Sequence, residues 1–94
     1  MKQKVTVTIV GPEPSCARCR ASLEAAEQFV KANQEKYDVE IKKIDMNAAT
    51  TIENYGVLRG PAIIVNDMVI SQGEVPKSKT IEAGVAQVLK MQSK

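Results

Sequence analysis

Apolar positions along this chain change their period several times, and each change marks an element. VTVTIV, residues 5–10, alternates β-branched Val with Thr, the period of a strand. Gly11, Pro12 and Pro14 end it. Ser15 is a suitable N-cap, and beyond it Leu23, Ala26, Phe29 and Val30 recur at helical spacing, with Glu24, Glu27 and Lys31 on other faces. This pattern predicts a helix from Cys16 to about Asn33. Val39, Ile41 and Ile44 predict a second strand, in which Lys42 and Lys43 break the alternation and point to an exposed end or edge. Asn47 or Thr50 can then cap a helix of about two turns; Thr50 with Glu53 fits a capping box, and Gly56 stops it.

Gly60 and Pro61 introduce the apolar run AIIV, and Asn66–Asp67 separates it from a second run, Met68 to Ser71. Asn and Asp tolerate the left-handed backbone of a tight turn, so the two runs are expected to pair antiparallel. After a loop at Gly73 and Pro76, one face of a final helix is marked by Ile81, Val85, Val88 and Leu89. The order is strand, helix, strand, helix, strand, strand, helix. A parallel crossover followed by a hairpin gives an α/β fold with a four-stranded mixed sheet and three helices. At 94 residues the chain reads as one domain, 1–94.

Composition removes several classes of function. Thirteen basic and eleven acidic residues leave a formal charge of +2, with no block of like charge, so neither nucleic acid nor a membrane surface is expected as a partner. MKQKVTVTIV is far from a secretory apolar stretch, and no run approaches a membrane span, so a cytoplasmic protein is expected. With 3% aromatic residues and no Trp, an aliphatic core must carry the stability.

The candidate chemistry lies in PSCARCR, residues 14–20. Two cysteines three apart can be a redox couple, half of a metal site, or two buried thiols. Cys16 falls at a helix start, where unpaired N–H groups and the macrodipole favour a thiolate. The position also follows a loop at a sheet edge, where ligands commonly bind in open α/β sheets. Arg18, Arg20 and Arg59 are the only arginines, beside ten lysines, and all three adjoin the candidate segments. As a collar they would stabilise the Cys16 thiolate and favour acidic partners. Met46 and Met68 are expected in the core or at its rim.

This element order, with CARC at 16–19 opening the first helix, resembles the thioredoxin fold in its minimal form. The likeness is to small thioredoxin-like or glutaredoxin-like redox-active disulfide proteins. YGVLRGPAIIVND at 55–67 resembles the family's stretch with a cis proline before the third strand, and VISQGEVPKSKTI at 69–81 its strand, glycine turn and last helix. The resemblance implies thiol–disulfide exchange in which Cys16 attacks and the more buried Cys19 resolves the mixed disulfide. It implies a cis bond at Gly60–Pro61, with Pro61 beside the cysteines. It also implies a substrate-binding edge of Ala17, Arg18, Arg59 and Gly60. The expected partners are a disulfide-containing protein and a thioredoxin-reductase-like reductase; a monomer without cofactor or bound metal is expected. Compared with the thioredoxin pattern WCGPC, Ser15 stands for Trp and Ala-Arg for Gly-Pro, and VTVTIV holds no acid. No glutathione-binding positions are matched.

Soft-metal or metalloid handling is the alternative, because two thiolates suit Cu(I) or Zn. Heavy-metal-associated domains also place CxxC after a first strand, but their order ends in a strand. With no His and no third Cys, a closed zinc site would need another chain or an exogenous ligand. A redox-inactive binding module is a third reading, against which the intact cysteine pair argues.

Overall fold

A computed structural model describes residues 3–11 and 17–92. The elements are β1 (Gln3–Gly11), α1 (Ala17–Ala32), β2 (Tyr37–Asp45), α2 (Ala49–Tyr55), β3 (Ala62–Val65), β4 (Met68–Gln72) and α3 (Ser78–Gln92). This is the minimal thioredoxin fold. The sheet order is β2-β1-β3-β4, with β1 and β2 parallel and the other neighbours antiparallel. The proposed Ser15 cap, the Pro12 and Pro14 break, and Cys16 lie outside the described residues.

Alternation along β1 divides the core between two faces. Val5, Val7 and Ile9 join Ile63 and Val65 beneath α1 and α3, which contribute Ala26, Phe29, Ile81, Val85 and Val88. Phe29 is fully buried and its ring stacks on Tyr37, with centroids 6.0 Å apart. On the opposite face Val10, Ala62 and Ile64 pack with Leu58, Ile44, Met46 and Tyr55. The two faces also explain β2. Tyr37, Val39 and Ile41 turn to the first face, whereas Ile44 turns to the second. Lys42 and Lys43 are exposed on what is indeed an edge strand. Met46 and Met68 are half-buried against the second and first clusters, respectively.

The chain ends of the helices are held locally. Buried Asn33 donates its Nδ2 to the Phe29 carbonyl (3.0 Å) and to Glu82 on α3 (3.4 Å), closing α1. The capping box at α2 requires correction. Its N-cap is Ala48, in an extended conformation and without a side-chain cap, and Thr50 is the second helical residue. Thr51 instead turns inward and donates to the Asp45 carbonyl at 2.8 Å, while the Asp45 carboxylate accepts from the Asn47 amide at 2.9 Å. Gly56 ends α2 with φ +77°, its N–H donating to the Ile52 carbonyl at 2.8 Å. The hairpin turns at Asn66, whose φ is +54°.

Candidate active site at the start of the first helix

Cys19 lies in the first turn of α1 with 1% of its surface exposed. That position is set by β1. Gly11, the last residue of the strand, has no side chain, and a Cβ built there would collide with the Cys19 sulfur. The Cys19 Cβ would stand 3.6 Å from the same point, an ordinary contact. The site for the sulfur is therefore a space left open by a glycine at the end of the central strand.

A second convergence occurs at Gly73, just after β4. Its N–H is shared between the carbonyls of Arg59 (3.2 Å) and Pro61 (3.1 Å). Its own carbonyl accepts a 2.7 Å hydrogen bond from Nη2 of Arg18. The Arg59 amide donates to Oε1 of Gln72 at 3.1 Å. Gly73 has φ +83°, a conformation that favours glycine, and its open side faces the Cβ and Cδ of Arg59, 3.6 and 3.5 Å from where a Cβ would lie. The helix start, the loop before β3 and the turn after β4 thus meet on one residue. The Gly60–Pro61 peptide is cis; Pro61 is buried and Gly60 half-buried.

Of the expected site residues, Arg18, Arg59 and Pro61 are joined through Gly73, and Ala17 is the exposed first residue of α1. Arg20 is exposed two residues beyond Arg18, and residues so spaced on a helix face different directions, so it does not share this joint. Cys16, and with it the spacing of the two sulfurs and any effect of the arginines on a thiolate, lies outside the described residues. Gly11 and Gly73 were legible only as chain breakers. Their close approaches depend on tertiary neighbours, and a glycine at each strand end was the one signal available. Among the described residues no group of three or more His, Cys, Asp or Glu is placed to hold a metal. A groove of about 750 Å³ lies elsewhere, between α2 and the Thr6, Thr8 side of the sheet.

The four-stranded mixed sheet with its three helices in this order defines a protein of the thioredoxin-fold class. The thioredoxin domain family matches residues 4–86, and the chain belongs to that family. Similar solved structures include a malarial protein, 16% identical, with a TM-score of 0.64 over 90% of this chain and 97% of that one. A protein of unknown function from Staphylococcus aureus is 19% identical, with a TM-score of 0.65 over 98% and 95%. Oxidised thioredoxin from Plasmodium falciparum is 12% identical, with a TM-score of 0.58 over 92% and 82%. At such identities these structures speak to the fold alone. No functionally curated protein matches the chain.

Proposed function

We propose that this chain is a cytoplasmic thiol–disulfide oxidoreductase that exchanges a Cys16–Cys19 dithiol with the disulfide of a partner protein. The observation that carries the proposal is the burial of the Cys19 sulfur against Gly11 in the first turn of α1. A second thiol held close to its partner in sequence and shielded from solvent suits a resolving role. Membership of the thioredoxin domain family supports the same reading.

In the proposed cycle the Cys16 thiolate attacks one sulfur of the substrate disulfide. The bond forms between Cys16 and that sulfur, and the other substrate sulfur leaves as a thiolate that takes up a proton. Cys19 then loses its proton and attacks the Cys16 sulfur, releasing the second substrate thiol and closing the Cys16–Cys19 disulfide. Two electrons pass to the substrate, and a dithiol-supplying reductase of the thioredoxin-reductase kind returns them. Ala17, Gly60 and Pro61 would present the edge against which an extended substrate segment lies.

The test is equilibration in graded dithiothreitol buffers, followed by alkylation and intact-mass measurement. One transition between species carrying two alkyl groups and none is expected. Two fully alkylated thiols under mild oxidant would remove the redox assignment.

A further inference from the structure

Arg18 and Arg59 are far apart in sequence, yet both rest on Gly73. Gly73 fixes Arg18 through its carbonyl and gives the stem of Arg59 a surface to lie on. Only one of the five guanidinium N–H donors of Arg18 need serve the 2.7 Å bond, and both side chains belong to exposed residues. Among the described residues neither arginine forms an ion pair. Glu74 is the acidic side chain next along the turn, and it too is exposed.

We infer that Arg18 and Arg59 form a cationic rim, jointed at Gly73, that selects acidic protein segments as partners. The inference rests on the proposed redox function for its account of why a partner docks beside CARC. The residue type matters. The chain has ten lysines and three arginines, and two of those arginines meet at this turn. A guanidinium presents a planar fork that pairs with a carboxylate through two N–H bonds, whereas an ammonium acts as a point charge. Anchoring Arg18 on a backbone carbonyl also removes part of the side-chain entropy that an exposed ion pair otherwise loses on forming. A partner bearing Asp or Glu beside its disulfide would gain in encounter rate and orientation, and one bearing Lys would be disfavoured.

Two measurements separate the rim from the redox reading. In the first, the Nε–Hε signals of Arg18 and Arg59 are followed by NMR as a cysteine-free Glu-rich peptide, or its Lys-rich counterpart, is added. Both signals are expected to move with the Glu-rich peptide and not with the Lys-rich one; equal or absent responses would overturn the rim whatever the cysteines do. In the second, rates of reduction are compared for Glu-flanked and Lys-flanked peptide disulfides and for neutral hydroxyethyl disulfide. The Glu-over-Lys preference should fall roughly three- to tenfold in the Arg18→Ala/Arg59→Ala variant, the size expected of two exposed pairs. A preference that survives in that variant would overturn the rim. Failure of the wild-type dithiol to reduce hydroxyethyl disulfide would instead overturn the redox function.

Discussion

The sulfur of Cys19 occupies the space that a side chain on Gly11 would fill. The two residues come from different elements, the end of β1 and the first turn of α1, and their contact fixes how closely the helix approaches the sheet. A methyl group at position 11 has to displace the sulfur or the helix. Gly11→Ala should therefore lose about 1–3 kcal/mol, the usual cost of overpacking, by urea denaturation. In a Cys19→Ala background the same substitution should cost much less, because only the Cβ of residue 19 remains and its 3.6 Å distance is ordinary. Additive losses in the double variant would show that the two residues do not compete for this space.

Burial of Cys19 makes its reactivity depend on opening of the structure. In Cys16→Ser, alkylation of Cys19 by iodoacetamide should be on the order of tenfold or more slower than in the urea-unfolded chain. The reverse variant, Cys19→Ser, should retain mixed disulfides on Cys16, since the proposed resolving thiol is gone. Rapid native alkylation of Cys19, or trapped adducts that form equally well in Cys16→Ser, would contradict the proposed order of attack.

The α2 helix begins without a side chain to satisfy its first N–H groups. Ala48 has the extended N-cap conformation, with φ −66° and ψ 139°, but nothing to offer as acceptor. Ala48→Asp should stabilise the chain by about 0.5–1 kcal/mol, both by capping and by placing a negative charge at the positive end of the helix. A thermal or urea midpoint equal to or below that of wild type would mean that the contacts of Thr51 and Asp45 already satisfy this end.

That helix also shows where reading the sequence reached its limit. The order of seven elements, the mixed sheet and the hairpin at Asn66–Asp67 followed from local pattern, because period, turn residues and breakers agreed. Thr50 and Glu53 have the spacing of a capping box, but tertiary packing draws Thr51 inward and shifts the helix start to Ala49. Lys42 and Lys43 break the alternation of β2 and point to an edge, which the sheet order bears out, but the pattern does not reveal that Ile44 turns to a second core, because this sheet buries both faces. At the candidate site, residue type alone singled out Cys19, Pro61, Arg18 and Arg59, and with them Arg20, which stands apart, and Cys16, which lies outside the described residues. The joint that binds Arg18, Arg59 and Pro61 was not, since it runs through backbone atoms of Gly73, which leave no mark in residue type beyond the glycine itself.

Gly73 is therefore the residue whose replacement should report on the whole site. Its φ of +83° is strained for any residue with a Cβ, while the space beside it is adequate, the nearest side-chain atom being 3.5 Å from a built Cβ. The cost of Gly73→Ala should then come from backbone conformation, about 1–3 kcal/mol in global stability. If the turn relaxes toward negative φ to relieve that strain, the carbonyl that receives Arg18 rotates away, and its N–H leaves the Arg59 and Pro61 carbonyls. The expected signature is a shift of the Arg18 Nε–Hε signal together with faster hydrogen exchange at the residue 73 amide. Gly56→Ala is the control. It too replaces a glycine of positive φ, +77°, with no atom within 4 Å of a built Cβ, but it lies at the end of α2, away from this joint. A comparable loss of stability there should leave the Arg18 signal in place. Equal movement of that signal in both variants would mean that it reports general loosening of the fold, and Gly73 would then be an ordinary turn residue.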